Sequence, residues 1–182
     1  MMTMRSHLRK LVRGTSGQEI IEAAIVIPLL FTILFGVYWF GRAFNIYGTI
    51  NHAAREGARA AIQNCASCTP LTPAALKTQV AAAVTEALQA SHLDPSKAVN
   101  ATVTPAAVPC PGFPGCSNIP LNGGPGKVHF CPSVRLNAGS PDPPVCGVIV
   151  SFQYPYQFWF PFTSLNLQTI SLKAKVQADG EE

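Results

Sequence analysis

Apolar residues run along this chain in three different patterns. From Ile20 to Gly41 they are nearly continuous, with Glu22 the one charged side chain among them. These 22 residues would make a helix about 33 Å long, enough to cross a hydrocarbon core of roughly 30 Å. From Ala43 onward the pattern becomes a stripe. Ala43, Tyr47, Ile50, Ala54, Gly57 and Ala61 recur at steps of four and three, while Asn45, His52, Arg55, Glu56 and Arg59 fall off it. The two patterns predict one helix over 18–63, membrane-spanning first and amphipathic afterwards. Ala54, Gly57, Ala58 and Ala61 keep the stripe narrow, so another backbone can approach it closely. That backbone could belong to the chain's own domain or to a neighbouring subunit.

Beyond residue 63 the pattern changes again. Asn64–Thr72 holds Cys65, Cys68 and Pro70 and breaks the helix. Thr72 and Pro73 then read as the N-cap and first position of a second helix, with Leu76, Val80, Val84 and Leu88 on one face and a stop at Asp94-Pro95. Val99, Ala101 and Val103 alternate as a short strand. Residues 105–147 contain ten Pro and seven Gly, which predicts a long irregular loop with strand-like alternation only at Lys127–Cys131. Two half-buried strands follow. One carries Val148, Val150, Phe152 and Tyr154 and the other Ile170, Leu172, Ala174 and Val176. The aromatic, proline-punctuated stretch Tyr154–Phe162 would connect them. The expected class is α+β: a long N-terminal transmembrane helix on a small domain of one further helix and an antiparallel sheet, with a disulfide-braced loop.

Composition sharpens this picture. With 48% hydrophobic and 12% charged residues among 182, the chain is too apolar for a disordered one. Its formal charge of +4 invites a nucleic-acid reading, which the distribution removes. Arg5, Arg9, Lys10 and Arg13 carry the whole excess within residues 1–17, and 18–182 hold nine basic and nine acidic side chains. Those leader cations exceed the basic side chains flanking the far end of the span. By the positive-inside rule the N-terminus is cytoplasmic and the C-terminal domain, 64–182, extracytoplasmic. A cleaved secretory signal is disfavoured, because the apolar run is long and no small-x-small site closes it.

A carboxylate inside a bilayer costs ~2.5–3.5 kcal/mol even on lenient scales, so Glu22 needs a partner or a position near the edge. It follows Gly17 by five residues, where the basic leader meets the apolar helix. This junction, with Val26-Ile27-Pro28-Leu29-Leu30, Phe40-Gly41-Arg42 and Asn51-His52-Ala53-Ala54-Arg55-Glu56-Gly57-Ala58-Arg59-Ala60-Ala61, resembles the TadE-like pseudopilins of tight-adherence (Flp-type) pilus systems, relatives of type IV pilins. The resemblance covers about 13–61. It departs at Ala23, where many relatives have an aromatic residue. It implies that a prepilin peptidase cuts between Gly17 and Gln18 and discards the leader. Glu22, then the fifth residue, would meet the N-terminus of a neighbouring subunit. The implied partners are that peptidase, other pseudopilins or pilins, an inner-membrane assembly platform and the lipid bilayer.

All six cysteines, Cys65, Cys68, Cys110, Cys116, Cys131 and Cys146, lie on the expected outer side, where three disulfides are favoured. Local pairing would join Cys65 to Cys68, Cys110 to Cys116 and Cys131 to Cys146. An enzyme is not expected. Cys65-x-x-Cys68 lacks the βαβ setting of a thioredoxin-like pair, His52, His92 and His129 are scattered singly without metal-ligand spacing, and nucleotide and hydrolase motifs are absent. The histidines read as surface residues, and neither a metal nor a cofactor is implied. The expected function is structural: a minor pseudopilin assembling into, or priming, a pilus or related secretion machine. The competing class is a signal-anchored extracytoplasmic binding module.

Overall fold

The computed structural model describes residues 15–66, 73–101, 108, 110, 115–122, 124–137, 139–140, 143, 145–157 and 169–179. Helix α1 (Thr15–Ala66) runs without interruption through Pro28. Helix α2 (Pro73–Ala90) and a 3-10 turn (Pro95–Lys97) follow, and five strands complete the chain: β1 (Val99–Asn100), β2 (Ser117–Pro120), β3 (Lys127–Arg135), β4 (Cys146–Gln157) and β5 (Thr169–Asp179). The class is α+β, in agreement with the sequence pattern. The chain divides into two compact units between Arg42 and Ala43.

In the first unit the apolar segment of α1 is exposed on nearly every side. Ile20 is 70% and Val37 68% accessible, and Leu29, Ile33 and Leu34 are similarly open. Among the described residues this is the one helix long and apolar enough to cross a membrane. Near its end Tyr38 meets Trp39 edge-on at 5.2 Å, and the Arg42 guanidinium lies 5.9 Å from the Trp39 ring centroid. Such rings with a cation suit the boundary between lipid and water.

The second unit is organised by β4. Along one edge it pairs with β5 from Gly147 to Gln157, and along the other with β3 (Cys146 to Ser151) and then β1 (Phe152, Gln153), all antiparallel. β2 extends the sheet beyond β3, with Ser117 opposite Phe130 and Pro120 opposite Lys127. One face carries Val128, Phe130, Val148, Val150 and Phe152, all buried, with Ala174 of β5 buried beside Phe152. Its two phenylalanines are wholly inaccessible, and each such burial is worth ~1.5–3 kcal/mol. On the opposite face Cys131, Val134 and Ile149 form a small cluster against Leu136.

The C-terminal part of α1 packs on the first face. Ile50, Ala53, Ala54, Ala58 and Ala61 are buried. A Cβ placed on Gly57 would lie 2.6 Å from Val84 Cγ2 of α2 and 3.5 Å from Val150 Cγ1 of β4. Glycine is therefore required by proximity rather than by backbone conformation. On α2, Val80, Val84 and Leu88 are buried, as their spacing of four predicts. The helix ends earlier than Asp94-Pro95. His92 N–H donates to Gln89 O and Leu93 N–H to Leu88 O, with His92 in the left-handed region at φ 58°, a Schellman termination. Asp94 then caps the 3-10 turn, its Oδ1 accepting from Ser96 N–H at 2.9 Å. Hydrogen bonding from the Ser96 side chain first, and then from its backbone N–H, holds the Asp94 carboxyl below its ordinary pKa.

Several expectations need correction. The stretch 105–147 is not one irregular loop, since it contains β2 and all of β3. β2 is four residues ending at a proline, too short to register as alternation, and the ladder of β3 shifts register between Cys131 and Val134, around Pro132. β4 is not half-buried but buried on both faces over most of its length, because it is the central strand. It also absorbs Tyr154–Gln157, the start of the expected aromatic connection; 158–168 lie outside the described residues, as do Thr72 and Val103.

Two substitutions test this packing by urea denaturation of the detergent-solubilised chain. Gly57→Ala should destabilise by ~1–3 kcal/mol, overpacking outweighing a helix-propensity gain of about 1 kcal/mol, whereas Gly48→Ala, with nothing within 4 Å, should not. His92→Gly should stabilise by about 1 kcal/mol through relief of the left-handed backbone.

Candidate functional site

The N-terminal junction lies within the first turns of α1. Gly17 is exposed, and a Cβ added there would meet nothing within 4 Å, so space is not what requires a glycine. Glu22 is exposed in the same helix. Gln18 and Glu22 are one helical turn apart, which places their backbones about 6 Å from one another along the axis. A chain beginning at Gln18 would therefore present an α-ammonium and a carboxylate on one side of an apolar helix end.

The eleven-residue segment Asn51–Ala61 divides cleanly by face. Ala53, Ala54, Gly57, Ala58 and Ala61 are buried, while His52, Arg55 and Arg59 are exposed. Glu56 stands between two bases, 3.3 Å from Arg59 Nη1 and 3.8 Å from His52 Nε2. Such exposed pairs add only ~0–1 kcal/mol, so the segment's weight is in its small residues.

The second cluster lies across β2 and β3. Cys116–Cys131 and Cys110–Cys146 are the disulfides among the described residues. The local pairing of Cys110 with Cys116 and Cys131 with Cys146 is thus overturned. The reason is the sheet: the β2–β3 register that sets Ser117 opposite Phe130 sets Cys116 opposite Cys131, with Cα atoms 4.1 Å apart. Arg135 N–H to Val108 O (2.8 Å) and Cys110 N–H to Ser133 O (3.3 Å) lay the preceding segment along β3, within reach of Cys146 at the start of β4. The Cys65 and Cys68 side chains lie outside the described residues.

Two positions from Cys131, on the same face, is His129. Its Nε2 is 3.6 Å from Cys131 Sγ, and its Nδ1 is 2.9 Å from Oδ1 of Asn118, the residue opposite it in the ladder. The reading of all histidines as solvated surface residues therefore fails at His129, which is half-buried; partial burial pushes its pKa down. Nor are the histidines all isolated, because ligand atoms of Cys116, His129 and Cys131 lie within 4.8 Å of one another. The clue in the sequence was the shared spacing of two, Cys116/Asn118 and His129/Cys131. It became meaningful only with the ladder register.

A long, largely exposed apolar helix segment continuing into a packed helix on an antiparallel sheet gives an α+β chain with a candidate membrane span. Residues 17–59 match the family model described as TadE-like protein, so the resemblance read from the sequence is shown over that segment. No curated protein and no solved structure matches the chain. The match begins at Gly17 and ends two residues after Gly57.

The lowered pKa of His129 has a consequence for stability. Below about pH 6.5, its ordinary value, the unfolded chain takes up the proton more readily than the folded one. His129 is thus compatible with full stability above that pH, and stability falls as pH drops toward and through its folded pKa. Urea midpoints at pH 7.5 and 5.5 should differ less in His129→Gln than in the wild type.

Proposed function

We propose that this chain is a minor pseudopilin, an assembly subunit of a tight-adherence pilus or a related secretion machine. The observation that carries the reading is the coincidence at α1: the TadE-like match starts at Gly17, where a basic leader gives way to an apolar helix exposed over most of its surface. That exposed surface, from Ile20 to Phe40, requires lipid before assembly and other helices after it. The protein sits in the cytoplasmic membrane of a bacterium by a single span, N-terminus inside and α+β domain outside.

A prepilin peptidase removes residues 1–17 by cutting between Gly17 and Gln18. Removal of four cations eliminates the topology signal and creates an α-ammonium at the end of an apolar helix. In lipid or in a bundle of helices an unpaired charge of either sign is costly, so the ammonium of one subunit and Glu22 of the next neutralise one another. Other pseudopilins and the inner-membrane platform are the partners at this end. On the outer half of α1, by contrast, Ala54, Gly57, Ala58 and Ala61 are occupied by the chain's own domain, leaving His52, Arg55 and Arg59 to face outward. A role for the small residues in holding that domain thus takes precedence over subunit contact.

Intact-mass measurement of the protein from cells with the cognate peptidase should give a chain beginning at Gln18; one retaining Met1, or starting further on, would falsify the processing step. Glu22→Ala should insert normally yet lose co-purification with partner subunits and piliation, by at least tenfold. Unchanged piliation in that variant would refute the assembly role.

A further inference from the structure

The two described disulfides share one arrangement and differ in one neighbour. Each joins an exposed cysteine to a buried one: Cys116 to Cys131, which is wholly inaccessible, and Cys146 to Cys110, which is 4% accessible. Among the described residues only the first has an imidazole against its buried sulfur, His129 Nε2 at 3.6 Å. Asn118 fixes that ring. Its Oδ1 can only accept, so at 2.9 Å it holds the hydrogen on Nδ1 and leaves the lone pair of Nε2 on the side of Cys131.

We infer that Cys116–Cys131 is an exchange-active disulfide, entered by an external thiol at Cys116, with Cys131 as the leaving sulfur and His129 as the group that stabilises it. The assignment of roles follows from access and electrostatics. An incoming sulfur can reach Cys116 but not Cys131. Exchange is faster when the departing thiol has the lower pKa, and a base beside a cysteine favours its thiolate. His129 can hold the proton that Cys131 would otherwise need, giving a thiolate–imidazolium pair.

The step balances without a further reagent. The attacking thiol forms a new S–S bond to Cys116 Sγ as the Cys116–Cys131 bond breaks, and the bond's electron pair passes to Cys131 Sγ. The proton released by the attacking thiol is matched by one taken up at His129 Nε2. If the attacker is a dithiol, its second sulfur attacks the mixed disulfide, displaces Cys116 as a thiol and leaves as the donor's own disulfide; two electrons have then moved from donor to protein. Cys110–Cys146, lacking the imidazole, remains the structural bridge. This inference is independent of the pilin reading, and so is its test.

The full chain in detergent, with its disulfides formed, is exposed to reduced glutathione, quenched with an alkylating reagent and mapped by peptide mass. Cys116–Cys131 should open at least tenfold faster than Cys110–Cys146, with glutathione attached to Cys116. His129→Ala should slow that opening about tenfold and leave the rate at Cys110–Cys146 unchanged, which also reports that the fold is intact. Asn118→Ala keeps the ring but frees it, and should slow opening about threefold; it decides the matter should His129→Ala misfold. Equal opening rates for the two bridges, glutathione on Cys131, or unaltered opening in a folded variant would overturn the proposal.

Discussion

The second unit depends on how closely α1 can approach the sheet. At Gly57 the helix backbone is so near Val84 and Val150 that even one added carbon would stand 2.6 Å from a methyl group. With Ala53, Ala54, Ala58 and Ala61 buried around it, that position lets α1, α2 and β4 share one interior. A helix studded with leucines would bury more area per residue but would stand off from the sheet, and Phe130 and Phe152 would lose their cover. Shape, rather than hydrophobic mass, sets this core. The Asn51–Ala61 segment obeys the same constraint: its small residues allow a backbone approach on one side and its charged ones face solvent on the other.

β4 transmits that contact to the rest of the domain. β5 occupies one of its edges from Gly147 to Gln157 and β3 and β1 divide the other from Cys146 to Gln153, so most of its backbone is paired on both sides. β2 is much weaker, four residues paired with β3 alone. A disulfide immediately before it adds what the ladder lacks. The second bridge works similarly on the β3–β4 connection, where Asn137 also gathers Arg135 Nε, Val145 N–H and Pro143 O around its amide. Proline and glycine deny this region a regular core, and covalent and side-chain links take over.

Both helices, β4 and β5 were legible in the sequence because their patterns are local. Steps of three and four need no knowledge of the partner surface, and Val80, Val84 and Leu88 met the core as their spacing requires. The strand in 146–157 was recognisable as a strand, yet its two-sided burial was not, since alternation reports the residues and not how many neighbours the strand acquires. β2 and the disulfide pairing were illegible for a stronger reason. Cys116 and Cys131 are brought together by a register 15 residues long in sequence separation, and a proximity rule based on the chain selected the wrong partners. The same register hid His129, whose significance comes from Asn118 and Cys116 on another strand. At the N-terminal junction the reverse holds. A Cβ on Gly17 would meet nothing within 4 Å, so its geometry adds little to what the sequence pattern already carries.

The two segments of α1 therefore satisfy opposite demands with one secondary structure. Residues 20–41 are mostly large, apolar and exposed, whereas Ala53, Ala54, Gly57, Ala58 and Ala61 are small and already covered. If the inner segment were small-residue-rich, it could not partition into lipid strongly enough to anchor the chain; if the outer one were bulky, the domain could not close on it. Helical hydrogen bonding is indifferent to this change of side chain, so the backbone passes through it unbroken. What differs is the solvent each stretch is matched to. A surface left uncovered by its own fold must find its cover in the bilayer or in other helices, and this physical asymmetry separates residues 20–41 from the sheet.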